Sequence, residues 1–110
     1  MTHYLLRWQF TDSSAKAMVS KPVDRTGPAT TLIESFGGKL KAYYFSFGEY
    51  DGVGICEFPD NTSAAACSMA AASTGGFSRF ETTTLLTAKE AEAAMKKAHD
   101  TKTAYKPPNA

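Results

Sequence analysis

Two stretches of this chain carry apolar side chains on both faces of an extended backbone, and that pattern restricts the fold more than any other feature. Side chains alternate across a strand, so every second residue shares a face. In Tyr4–Phe10 this puts Tyr4, Leu6, Trp8 and Phe10 on one face and Leu5, Arg7 and Gln9 on the other. In Leu40–Phe47 it puts Leu40, Ala42 and Tyr44 on one side and Tyr43, Phe45 and Phe47 on the other. Neither stretch has a face free of apolar groups, so a sheet built from them wants cover on both sides.

The segments between the strands name the cover for one side. Thr11-Asp12-Ser13-Ser14 offers side-chain oxygens to cap a helix, and Ala15, Met18 and Val19 recur at helical spacing. Pro22 and Gly27-Pro28 interrupt that helix, because proline removes a backbone donor and clashes with the preceding turn. A second piece is expected with Pro28 at its first position, where the missing N–H costs nothing. Ala29, Leu32, Ile33 and Phe36 form its apolar stripe, and Gly37-Gly38 stops it with a residue able to take the left-handed conformation.

Strands follow over Leu40–Phe47 and Val53–Phe58, joined by the turn Gly48-Glu49-Tyr50-Asp51-Gly52. Ser63–Ser73 is nearly all alanine, the best helix former, with Asp60 or Asn61 as cap and Gly75-Gly76 as stop. Phe77–Leu86 alternates and is threonine-rich, a fourth strand. Thr87 and Glu90 match a capping box at the start of a last helix whose apolar face is Ala91, Ala94, Met95 and Ala98.

The order is β-α-β-β-α-β with a helix appended, the ferredoxin-like α+β arrangement. One domain over residues 1–99 is expected, with 100–110 as a flexible C-terminal tail carrying Pro107-Pro108. Two helices cover only one face of a four-stranded sheet with strand order 4-1-3-2. The economical cover for the other face is a second copy, sheet against sheet, so a homodimer is expected and a higher oligomer is compatible with the same surface.

Twelve basic and eleven acidic residues are spread along the 110-residue chain, giving a formal charge of +1. That balance lacks the basic stripe of a nucleic-acid binder. No apolar run is long enough to span a bilayer and the first residues do not have a signal-peptide layout, so the expectation is a cytoplasmic protein with no membrane partner. Cys56 and Cys67 are expected to be reduced, buried thiols rather than a disulfide. His3 and His99 lie near the chain ends without carboxylate or cysteine at ligand spacing, so no metal is expected, and no cofactor motif is present.

Polar groups inside strands are the candidate site. Arg7, Gln9 and Arg79, with Glu81 beside them, lie on strands that become neighbours in the 4-1-3-2 order. Together with Tyr44 and Glu57 they form a candidate ligand-binding set in which paired guanidinium groups hold a carboxylate. The alternative for the same residues is mutual pairing, Arg7 with Glu57 or Glu81 and the others facing solvent. Tyr43, Tyr44, Phe45 and Phe47 either line an aromatic cavity or form core and dimer interface. For Gly48, Glu49, Tyr50 and Asp51 a structural role is favoured: Gly48 supplies a permissive dihedral, Asp51 bonds the turn backbone and Tyr50 packs its ring.

The run Gly48-Glu49-Tyr50-Asp51, with Gly38-Lys39-Leu40-Lys41-Ala42-Tyr43-Tyr44 upstream and Glu57-Phe58-Pro59-Asp60 downstream, resembles the GYD domain family. Thr11-Asp12 and Leu86-Thr87 fit the same pattern, and the resemblance covers Tyr4 to Met95. It implies a dimeric α/β barrel of ferredoxin-like subunits in a family whose biochemical role is largely undefined. The chain departs from the pattern at Trp8, whose bulk is expected to narrow any cavity beside the first strand. Two functions follow as the leading expectations, with a pure assembly protein as a third. One is a dimeric small-molecule binding or sensing module; the other, by fold analogy alone, is a cofactor-free isomerase, cyclase or monooxygenase acting on an aromatic or polyketide-like compound. An inward-facing Arg7 or Tyr44 beside Glu57 favours chemistry.

Overall fold

The computed structural model describes residues 1–109. Its elements are β1 (Thr2–Phe10), α1 (Asp12–Ser20), α2 (Thr26–Ser35), β2 (Lys39–Phe45), β3 (Gly52–Phe58), α3 (Asn61–Ser73), β4 (Phe77–Leu85) and α4 (Ala88–Asp100). The four strands form one antiparallel sheet in the order β2-β3-β1-β4, the ferredoxin-like arrangement.

Local chemistry sets the helix ends. Thr11 Oγ1 accepts from the Ser14 N–H at 3.3 Å, and Asp60 Oδ1 accepts from Ser63 at 2.8 Å. Thr87 and Glu90 close a reciprocal capping box, with bonds of 3.0 and 3.1 Å. Each satisfies amides that a helix start leaves without partners. Gly37 (φ +77°) and Gly75 (φ +78°) take the left-handed conformation just beyond α2 and α3. Pro28 is the third residue of α2, not the first. The reason it is tolerated is unchanged, since the amides of the whole first turn lack intrahelical partners.

β1 alternates as its sequence requires: Tyr4, Leu6 and Trp8 are buried, and Leu5, Arg7 and Gln9 point to the other face. The edge strands do not alternate strictly. Leu40 pairs with Cys56 and Ala42 with Ile55, which leaves Lys41 as an extra residue on β2. Leu40 therefore shares the helix-covered face with Tyr43 and Phe45, not the opposite face with Ala42 and Tyr44. On β4 the extra residue is Ser78, because Gln9 pairs with Arg79 and Phe10 with Phe77. These bulges bring Leu40 and Tyr43, and Phe77 and Phe80, to one face although each pair is three residues apart.

The turn between β2 and β3 also differs from the simple expectation. β2 ends at Phe45, and Phe47 stands fully in solvent beyond it. Gly48 has no positive φ and open space around it, so it supplies no special dihedral. Lack of space, as distinct from a left-handed φ, requires glycine at Gly38 and Gly52. A Cβ on Gly38 would lie 2.6 Å from the Glu57 carbonyl oxygen, and one on Gly52 would lie 2.3 Å from the Trp8 ring.

The covered face has a filled end and an open end. At the filled end Tyr4, Cys56, Phe58, Ile33, Ala64 and Cys67 interlock, with Tyr4 and Phe58 edge to face at 5.7 Å. The alanines and serines of α3 let it approach β4 closely. Both cysteines are free and buried there, and burial pushes the Cys56 thiol up to about 12 and that of Cys67 to about 11, so neither is a nucleophile at neutral pH. α4 has no buried residue and packs little against the other elements, with Met95 69% exposed. Residues 101–107 carry neither helix nor strand; Ala110, the end of the expected tail, lies outside the described residues. No helix among the described residues is long and apolar enough to cross a membrane.

Candidate functional site

The open end of the covered face is an aromatic floor under a cavity. Trp8 of β1 pairs with Gly52 of β3, and Tyr43 of β2 with Gly54. Because β3 offers no side chain at either glycine, the rings of Trp8 and Tyr43 meet across it, with centroids 5.5 Å apart and planes 21° apart. Trp8 lies equally near-parallel to Phe80 of β4, at 6.2 Å and 18°. Phe80 contacts Phe77, Phe77 contacts Phe10, Phe10 contacts Phe45, and Phe45 returns to Tyr43. Six rings from three strands thus close a circuit.

Above this floor, between α2 and α3, lies a cavity of about 330 Å³. Trp8, Phe10, Tyr43, Phe77 and Phe80 line it from below, and Leu32, Ile33 and Ala71 from the helices. Its polar lining residues are Arg25, Tyr43 and Thr74. Tyr43 is half-buried, and burial raises its phenol above the ordinary 10.0, so it stays a neutral donor. Thr74 Oγ1 is occupied by the Ala71 carbonyl oxygen at 2.7 Å. Trp8, expected to narrow such a space, instead forms its floor, because its ring lies flat over Gly52 and Gly54.

The site residues read from the strands occupy the opposite, uncovered face. Arg7 and Arg79 flank the Tyr50 ring, their guanidinium carbons 4.6 and 5.1 Å from its centroid, within cation–π range. The Tyr50 hydroxyl donates to Glu81 Oε2 at 2.7 Å. Arg7 reaches the same oxygen at 3.2 Å, while Arg79 binds Glu81 Oε1 at 2.8 Å and Glu49 at 3.2 Å. The Tyr50 hydrogen bond holds the Glu81 carboxyl below its ordinary range, and the same bond raises the Tyr50 phenol. Hydrogen bonding to Glu49 raises Arg79 further. Gln9 Nε2 donates to the Glu49 carbonyl oxygen.

The structure therefore brings Arg7, Gln9 and Arg79 together with the Gly48–Asp51 turn and directs most of their donors to the turn and to Glu81, while Arg7 Nε stays buried without a partner among the described residues. Tyr44, 66% exposed, shares their face across the Val53 position of β3. Glu57 lies toward the far end of β3 and pairs with Lys41 at 3.5 Å. The Asp51 carboxylate does not bond its own turn as expected: its Oδ2 accepts from the Phe10 N–H at 2.8 Å, and the Asp51 N–H donates to the Trp8 carbonyl at 2.8 Å. It fastens the turn to the end of β1, directly behind the aromatic floor.

The sequence reading found Tyr43 as a cavity candidate but missed Arg25, Phe77 and Phe80. The signal for the last two was present: aromatic residues three apart in a strand share a face only across a bulge. Arg25 had no such signal, because the loop between α1 and α2 reaches the cavity only through tertiary packing. The family model described as GYD domain matches residues 4–95. A comparison with curated proteins found no match.

Proposed function

The chain belongs to the GYD domain family, and from that premise we propose that it is a dimeric small-molecule binding or sensing module whose ligand sits in the cavity between sheet and helices. The observation that carries this reading is the cavity itself. Its volume of about 330 Å³ suits a small organic molecule, and its apolar walls with a few polar groups have the character of ligand sites. Binding is favoured over acid–base catalysis because Arg7, Tyr44 and Glu57 lie on the other face and the lining holds no carboxylate or histidine. Free, buried Cys56 and Cys67 suit a reducing compartment such as the cytoplasm.

A second copy is proposed as the cover for the uncovered face. Ile55 and Tyr44 are exposed there beside half-buried Leu5 and Val53, and α4 presents Met95 with no partner in the same subunit. Sedimentation at micromolar concentration is expected to give a dimer, and a stable monomer rejects this part. For the cavity, calorimetric titration of the full chain with 2-naphthalenemethanol, a neutral bicyclic probe, is expected to show one site per subunit. Ala29→Trp, which fills the space from α2, should abolish that binding while the thermal midpoint holds or rises. Undiminished binding by the folded variant places the probe elsewhere and ends the cavity reading.

A further inference from the structure

The cavity carries one feature that apolar lining does not explain. Its single charged lining residue is Arg25, a half-buried residue in the loop that leads into α2. Four ion pairs hold Arg7, Lys41 and Arg79 to carboxylates elsewhere; none among the described residues involves Arg25. The adjacent Asp24 makes no ion pair with it; its Oδ1 accepts from the Thr26 N–H at 2.9 Å at the start of α2. The Arg25 side chain makes no cap bond of its own. Arg25 also lines a smaller cavity of about 230 Å³ beside α1 that shares Phe10, Thr74 and Phe77 with the first. Arg25 thus lines the space over the aromatic floor, its charge acts on the Tyr43 phenol there, and among the described residues it has no ion-pair partner.

The floor adds a constraint of shape. Tyr43 and Phe80 lie near-parallel to the buried Trp8 ring, with planes 21° and 18° apart, and aromatic walls so aligned favour a flat π-system that joins them by offset stacking. Building on the cavity reading above, we infer that the ligand is a planar aromatic acid of one or two rings, its ring system laid on Trp8, Tyr43 and Phe80 and its carboxylate held by Arg25. Guanidinium suits this role because its fork of N–H donors matches a carboxylate in bidentate fashion, and the low-dielectric walls strengthen the pairing.

Three probes separate the parts of this inference: 2-naphthoate, the neutral 2-naphthalenemethanol, and trans-decalin-2-carboxylate, which keeps the charge but is saturated and puckered. In calorimetric titrations of the full chain at neutral pH, 2-naphthoate is expected to bind about tenfold tighter than the alcohol, the size of one charge-assisted contact. It should also bind at least about fivefold tighter than the decalin acid, for loss of stacking. Arg25→Gln should bring 2-naphthoate down to the affinity of the alcohol, a larger loss for the acid than for the alcohol, while Arg25→Lys retains part of the preference. Trp8 is the only tryptophan, so its emission reports whether the probe lies on the floor. Equal affinity for acid and alcohol, or an equal loss of both in Arg25→Gln, overturns the anion assignment and leaves the cavity reading standing. Equal affinity for the naphthyl and decalin acids overturns planarity. If neither naphthalene probe binds, the cavity reading falls as well.

Discussion

The two faces of the one sheet solve different problems with the same residue types. On the covered face aromatic rings meet aromatic rings, and the space they leave is a cavity. On the uncovered face the Tyr50 ring lies between two guanidinium groups whose charges are balanced by Glu81 and Glu49. The contrast shows why the charged set, more conspicuous in the sequence, is the weaker ligand site. Most of its donors already have partners inside the protein, Arg7 Nε being the buried exception, and ion pairs this exposed contribute little stability individually. They position the turn. On the covered face the lining cation, Arg25, has no ion-pair partner among the described residues.

The largest expected effect that tests this comparison is at Gly52. An added Cβ would lie 2.3 Å from Trp8 Cε2 and Cζ2, and the neighbouring rings leave the indole little room to retreat. Gly52→Ala is expected to destabilise the fold by about 3 kcal/mol, the upper range for overpacking, read from urea denaturation. A loss below about 0.5 kcal/mol means that Trp8 does not lie on Gly52 and the floor is drawn wrongly.

Asp51 links the two faces, so its loss comes next. Asp51→Ala leaves the Phe10 amide without its charged acceptor and unfastens the turn from β1, at an expected cost of about 2 kcal/mol. Measured alongside, binding of 2-naphthalenemethanol should weaken in parallel, because Phe10 belongs to the cavity lining. A stability loss with unchanged binding makes the two faces independent and breaks the proposed connection.

The smallest effect concerns Glu81. Its carboxyl titrates below the ordinary 4.5 in the folded chain, first through the Tyr50 hydrogen bond and then through Arg79 and Arg7. A depressed folded value favours the ionised form, so the contribution is fully present above the unfolded value and is lost as the pH falls through the folded one. Wild type should therefore exceed Glu81→Gln slightly in stability at neutral pH, and the gap should close as the pH drops below 4.5. A gap that persists unchanged in acid means that Glu81 acts by shape rather than charge. Probe binding in the cavity should not move in this variant, since Glu81 faces away from it.

Much of this molecule follows from residues close together in the chain. The order of elements, the break between α1 and α2, the caps at Thr11, Asp60 and Thr87, the left-handed Gly37 and the alternation of β1 are all decided within a few residues, where backbone sterics and local hydrogen bonds act. That is why the family pattern and the fold were both legible without coordinates. The two bulges were half legible: Leu40 with Tyr43, and Phe77 with Phe80, break strict alternation, but only pairing with the neighbouring strand identifies Lys41 and Ser78 as the extra residues. The aromatic circuit, the seat of Trp8 on Gly52, the bond from Asp51 to β1 and the place of Arg25 on the cavity wall were decided by tertiary structure alone. Each joins residues far apart in sequence, and no local preference records which distant partner a side chain meets once the sheet has closed.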